Sequence, residues 1–218
     1  MSIKAVIFDY GQVISLPQDT KVIDRLAEII GVSREKFEPL LWSLRVEYDR
    51  GVITAKEYYN NILSSLNIRL DEKIIDEIIR MDLESWKNIN PGTEKLMEDV
   101  KKAGYILGIL SNMPHDFLAW ARKNIPVFSL PHLGLFSCEV NLVKPDKAIY
   151  LKLLSQLSET VVSAEATVSE IKGEELVFFD DNPENVRSAK ALGINAFVWE
   201  SPENARRELL SLGVKLQQ

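Results

Sequence analysis

The chain has a single cysteine, Cys138, in 218 residues, so no intramolecular disulfide can staple it. Histidine is nearly as scarce, with only His115 and His132. Long apolar runs are missing too. Ala5–Phe8, near the N-terminus, is broken by Asp9 and is too short for a secretory signal. No window approaches the ~20 apolar residues that a membrane span needs. Positive charge is also short, with Lys plus Arg at 26 against Asp plus Glu at 32, a formal charge of −6. That balance argues against sequence-independent binding of nucleic acid, which needs a basic footprint. It leaves small anionic substrates open, because a local site can oppose the net charge. These absences lead us to expect a cytoplasmic protein that binds neither membrane nor nucleic acid.

The rest of the composition is that of a globular chain, 46% hydrophobic and 27% charged. At this length a core can form without disulfide or metal staples. There is no internal repeat and no low-complexity stretch. Ala5-Val6-Ile7-Phe8 is short, apolar and rich in β-branched residues, the pattern of a strand buried on both faces. Similar runs recur at Tyr105–Leu110, Leu133–Cys138, Leu176–Phe179 and Ala196–Trp199. Helical patterns lie at Thr93–Ala103, Asp146–Leu157, Pro183–Leu192 and Pro202–Leu212. Such alternation predicts an α/β fold, a Rossmann-like parallel sheet.

The stretch from about Asp19 to Trp86 interrupts this rhythm. It holds amphipathic patterns at Ile23–Ile30, Arg34–Tyr48, Ala55–Leu66 and Glu72–Trp86, with Gly31 and Gly51 as stops. We read it as an inserted helical cap domain over residues 16–88. The core domain is then made of 1–15 and 89–218, with Asn90-Pro91-Gly92 as the return linker. Ser155–Lys172 is polar and reads as a loop or a short surface helix.

Ligands of open α/β sheets bind beyond the carboxyl ends of the strands. Asp9 follows the first run, Ser111 and Asn112 the second, and Asp180, Asp181 and Asn182 the fourth. Lys144 lies between the third run and its helix. This set suits phosphoryl transfer. A divalent cation held by Asp9 and Asp181 would reverse a field that otherwise repels phosphate, and hard oxygen donors favour Mg²⁺. Ser111 can donate to a phosphoryl oxygen, and Lys144 can neutralise charge on the attacked group and on Asp9. Adjacent carboxylates such as Asp180 and Asp181 repel one another and call for a cation or a basic partner.

Four segments stand in order: Val6-Ile-Phe-Asp-Tyr-Gly-Gln-Val13, Ile109-Leu-Ser-Asn112, Lys144-Pro-Asp146 and Phe178-Phe-Asp-Asp-Asn182. They resemble the four motifs of the haloacid dehalogenase superfamily, and the helical insert lies where that superfamily carries its type-1 cap. Within it the chain looks most like sugar-1-phosphate phosphatases and the phosphatase domain of soluble epoxide hydrolase. The resemblance implies that Asp9 attacks phosphorus and forms an aspartyl-phosphate. It implies that Ser111 and Asn112 orient the phosphoryl group and that Lys144 bridges it to Asp9. It further implies that Asp9, Asp181, Asp180 and the Gly11 carbonyl surround Mg²⁺, and that Asn185 belongs to the fourth motif. The substrate would be a small phosphorylated metabolite, with sugar phosphates suggested by the resemblance alone.

Gly11 departs from that pattern. Most phosphatases of the superfamily carry a second Asp there as general acid and base. Glycine keeps the carbonyl but cannot move a proton, and Gln12 beside it does not titrate. Since general acid–base help is typically worth about 10²–10⁴-fold, slow turnover is expected, with a preference for leaving groups that need no protonation. His115 is either a surface residue or a substitute acid, and His132 reads as structural. Trp42, Arg45 and Tyr48, spaced by three, either face the site, with Arg45 on the substrate, or form a packing stripe. Phe117, Trp120 and Cys138 read as core. Two other functions compete with the phosphatase. A 2-haloacid dehalogenase would use the same nucleophile without metal, but has no need of the Asp180–Asp181 pair. A catalytically silent relative that binds a ligand or partner is kept open by Gly11.

Overall fold

The computed structural model describes residues 2–164 and 171–216. Among these residues five strands form one sheet: β1 (Ala5–Phe8), β2 (Ile106–Ser111), β3 (Leu133–Phe136), β4 (Leu176–Asp180) and β5 (Asn195–Val198). All pairs are parallel and the order is β3-β2-β1-β4-β5. Central β1 is wholly buried, as its unbroken apolar sequence requires.

The two-residue period divides the strand side chains between two apolar layers. Val6, Phe8, Leu107, Ile109, Val177 and Phe179 share one cluster. It also takes residues from α6 (Pro91–Lys102), α7 (His115–Asn124) and α11 (Pro202–Ser211). Ala5, Ile7, Leu176 and Phe178 point the other way, with residues of α9 (Lys147–Ala164) and α10 (Pro183–Lys190).

A third apolar cluster belongs to α1 (Thr20–Ile30), α2 (Arg34–Ser43), α3 (Arg45–Asp49), α4 (Ala55–Ser65) and α5 (Glu72–Ser85). Its largest members are Phe37, Tyr48, Tyr58 and Tyr59. The chain leaves the sheet and returns to it side by side. Ser15 and Ile89 form an antiparallel bridge, Leu16 N–H donates to Asn88 C=O at 2.7 Å, and Asn90 N–H to Ile14 C=O at 2.9 Å.

Some predicted elements differ in detail. The Leu133–Cys138 run is a strand only to Phe136, and Ser137–Val140 form a one-turn helix, α8. Ser137 is drawn out of the strand because its hydroxyl accepts the Met113 N–H at 2.9 Å and donates to the Asp49 carbonyl. The predicted Arg34–Tyr48 helix is two, because Leu44 turns at φ −93°, ψ 0° between α2 and α3. Trp42 and Arg45 therefore sit on different helices. The stretch from Ser155 continues α9 as far as Ala164, and 165–170 lies outside the described residues.

Candidate active site

Asp9 lies just past β1, and its N–H donates to Phe179 C=O at 2.9 Å. Ser111 closes β2 and Asp180 closes β4. Since β2 and β4 flank β1 on opposite sides, these residues meet at the topological switch point of the sheet, where α/β folds bind ligands. After Asp9 the chain makes one wide turn over Tyr10–Ile14, closed by Ser15 N–H donating to Tyr10 C=O at 2.8 Å. The turn holds Gln12 at φ 59°, a left-handed conformation that costs a non-glycine residue on the order of 1–3 kcal/mol. There the Gln12 amide nitrogen donates to Asp181 Oδ2 at 2.7 Å.

Lys144 ties the strand ends together. Its Nζ is 2.9 Å from Asp9 Oδ1, 2.6 Å from Asp180 Oδ2 and 3.1 Å from Leu110 C=O, so all three ammonium protons are used. Asp180 Oδ1 accepts from Asn182 N–H and from Asn185 Nδ2, each at 2.9 Å. Asn112 grips the Lys144 backbone in both directions, donating to its carbonyl and accepting from its N–H, each at 2.9 Å. Its side-chain amide thus positions Lys144.

The electrostatics follow from burial. Desolvation lifts the Asp9 carboxyl to about 7; Lys144 opposes the rise, Asp180 adds to it, and a hydrogen bond from Ser111 works against it. Burial, then neighbouring Asp180, also raises Asp181. Burial alone would lower Lys144, but Asp180 and Asp9 outweigh it and hold the ammonium above its usual value. Asp9, Asp180 and Asp181 offer one oxygen each within 4.8 Å of one another. Three hard donors crowded against their own repulsion fit a small divalent cation, and Asp181, bonded to an amide and to no cation, retains acceptor capacity.

A cavity of about 160 Å³ adjoins this cluster. Gly11, Ser111 and Asn112 form its floor, and Tyr10, Trp42, Trp86, Met113 and Phe117 supply apolar walls. Arg45 and Asp49 of α3 complete the lining. The Arg45 guanidinium is already paired, at 2.9 Å with Asp49 and 3.4 Å with Asp82, and lies over the Tyr48 and Tyr58 rings. Tyr48 is buried away from the cavity. Phe117 is both core and wall. His115 is exposed and does not line the cavity. His132 is structural, its Nδ1 accepting from Leu107 N–H at 2.9 Å. Cys138 is buried, and burial pushes its thiol up to about 11.

Sequence reasoning missed the apolar wall residues Tyr10 and Met113, and with them Asp49, Gln12 and Trp86. Asp49 was visible only as the i+4 partner of Arg45. Gln12 signalled nothing, because its role depends on a left-handed turn. Trp86 reaches the cavity only through the return of the helical segment to the sheet.

A haloacid dehalogenase-like hydrolase model matches residues 3–193. Phosphatase MT3486 of Mycobacterium tuberculosis is 26% identical over 99% of this chain and 98% of its own. Bifunctional epoxide hydrolase 2 of Sus scrofa is 26% identical over the full chain, which spans 40% of that protein. Among solved structures, the magnesium complex of the HAD family enzyme bt-2542 from Bacteroides thetaiotaomicron superposes with TM-score 0.73 at 20% identity, over 92% of this chain and 95% of that one. With a matched model running from β1 through α10, the chain belongs to the haloacid dehalogenase-like hydrolases.

Proposed function

We propose that the protein is a Mg²⁺-dependent phosphatase of small phosphorylated metabolites, with residues 16–88 acting as a cap over the sheet. The observation that carries this reading is the Lys144 ammonium shared by Asp9 and Asp180, with Asp181 alongside and a cavity lined both by the sheet edge and by Trp42, Arg45 and Asp49. A dehalogenase has no use for that second and third acid. The cavity suits a compact substrate, and its aromatic walls can stack on a sugar ring or another flat apolar body.

Asp9 is the nucleophile. Its Oδ1 is fixed by Tyr10 N–H at 2.7 Å and by Lys144, which leaves the other oxygen to attack phosphorus. Ser111 donates to a phosphoryl oxygen, and Lys144 offsets charge on the transferred group. Asn112 keeps Lys144 in place. Asp9, Asp181, the Gly11 carbonyl and Asp180 would hold the cation. When bound, it offsets the negative charge that these acids share with a phosphate ester. Attack gives an aspartyl-phosphate on Asp9, which water hydrolyses.

Phosphate release from 4-nitrophenyl phosphate tests the proposal. Turnover is expected with millimolar Mg²⁺, and none with a chelator or in Asp9→Asn. Activity that survives chelation would favour dehalogenase-type chemistry instead.

A further inference from the structure

Position 11 has no side chain to move a proton, yet an alkoxide leaving group needs one. Among the side chains lining the cavity, Asp49 bears the one carboxyl. Arg45 is a permanent cation, Gln12 is taken up by Asp181, and the Tyr10 hydroxyl donates to Trp86 C=O at 2.6 Å.

We propose that Asp49, carried over the site by α3, is the general acid and base of this enzyme, supplied from the helical cap in place of the core residue that Gly11 lacks. This inference rests on the phosphatase reading above. The geometry holds Asp49 from two sides. Ser137 hydroxyl bridges the Asp49 carbonyl and the Met113 N–H, tying α3 to a residue of the cavity wall. Gly51, at φ +82°, lets the same segment close on Cys138, where a Cβ would come within 2.8 Å of backbone atoms. On the other side Arg45 Nε donates to Asp49 Oδ1 at 2.9 Å.

The surroundings suit proton transfer. The Asp49 side chain is only 17% exposed. Burial lifts it to about 6, against the pull of Arg45, with Asp82 of α5 adding to the rise and Lys144 of the core opposing it. Arg45 also faces Asp82, so it keeps a carboxylate partner when Asp49 takes up a proton. A carboxyl near 6 is populated in both forms close to neutral pH, as a group that must act first as acid and then as base requires. In the first step an Asp9 oxygen bonds to phosphorus, the ester P–O bond breaks, and the Asp49 proton passes to the departing oxygen to give an alcohol. In the second, water attacks phosphorus and gives its proton to the Asp49 carboxylate, and Asp9 leaves as a carboxylate with release of phosphate.

The test compares wild-type, Asp49→Asn and Asp82→Asn on 4-nitrophenyl phosphate and on glycerol 1-phosphate, both with Mg²⁺. Asp49→Asn is expected to lower kcat/KM on the alkyl ester by about 10²–10⁴-fold. On the aryl ester, whose leaving group needs no proton, the loss should stay under about tenfold. The wild-type to variant ratio for the alkyl ester should shrink as pH rises through about 6. Asp82→Asn removes a charge that raises Asp49 and leaves the Asp49 acid in place, so it should cost the alkyl ester more than the aryl one, and less than Asp49→Asn does. Equal losses on the two esters in Asp49→Asn, or no loss, overturn the inference. A second readout needs no variant: across phenyl and alkyl esters, wild-type kcat/KM should depend only weakly on leaving-group basicity, and a steep fall overturns the inference. Wild-type protein that releases no phosphate from either ester overturns the phosphatase reading and this inference with it. Activity that is present but blind to Asp49 overturns this inference alone.

Discussion

At the scale of single residues the site is a problem of charge compensation, and Lys144 solves most of it. Its ammonium is buried between two carboxylates. Removing one partner of such a buried group typically costs about 3–5 kcal/mol, because the remaining charge loses its compensation. Lys144→Met is therefore expected to lose that much stability at pH 7.5 in urea unfolding, and to lose phosphate release. The penalty should shrink at pH 5.5. Asp9, already raised to about 7 by burial, is largely protonated there and no longer needs a counter-charge. Gly11 poses the opposite problem, a missing group. Its φ of −62° is open to any residue, and a Cβ there would meet only Trp86 Cζ3, at an ordinary 3.8 Å. Gly11→Ala should fold normally. Gly11→Asp should change kcat/KM on alkyl phosphates little in the wild-type background, but raise it about tenfold or more in Asp49→Asn, read from initial rates on alkyl and aryl esters. On Gly11 alone alkyl esters would turn over slowly; a proton from Asp49 lifts that restriction.

At the scale of elements, the join between helices and sheet sets the geometry of the cavity. Gly51, between α3 and α4, touches the Cys138 backbone at the start of α8. A methyl group there clashes and must also adopt a positive φ. Gly51→Ala is expected to lower stability by about 1–3 kcal/mol, measured by thermal unfolding, and to raise KM by moving α3 away from the core. This contact was not legible in the sequence, where Gly51 reads only as a helix stop. The strand ends were legible, because a parallel strand buried on both faces must be apolar throughout and its first polar residue marks the edge. Asp9, Ser111 and Asp180 appear in this way, each at or just past a strand end. The helical patterns were legible for the same reason, since α1, α4 and α5 each bury one stripe. What periodicity cannot carry is a change of direction. The turn at Leu44 places Arg45 on the cavity and Tyr48 in the interior. The turn at Gln12 delivers an amide to Asp181. Both depend on backbone angles at one residue, fixed by packing from distant parts of the chain.

At the scale of the whole molecule, the net charge of −6 and the acid cluster at the sheet edge point the same way. Three carboxylates from β1 and β4 crowd one another, and one ammonium compensates only part of their charge. A cation that binds the folded cluster and not the unfolded chain stabilises the fold by RT ln(1 + [L]/Kd), about 2.7 kcal/mol at a hundred times Kd. For a chain of this length each kcal/mol moves Tm by roughly 2–4 °C. Saturating Mg²⁺ is therefore expected to raise Tm by about 5–10 °C at pH 7.5, where the same ionic strength from sodium chloride does not. Protons compete for the same oxygens. Because Asp9 is raised to about 7, it is increasingly protonated as pH falls below that value, and the Mg²⁺-dependent shift should contract between pH 7.5 and 5.5. Asp181→Asn, which removes one charge from the cluster and leaves Lys144 and its two partners in place, should abolish most of the shift. It should not lower the Tm measured in chelator, because it relieves repulsion with Asp180. A Tm that ignores Mg²⁺ at both pH values would show that the crowded acids are balanced by Lys144 alone, and that the cation has no seat at this edge of the sheet.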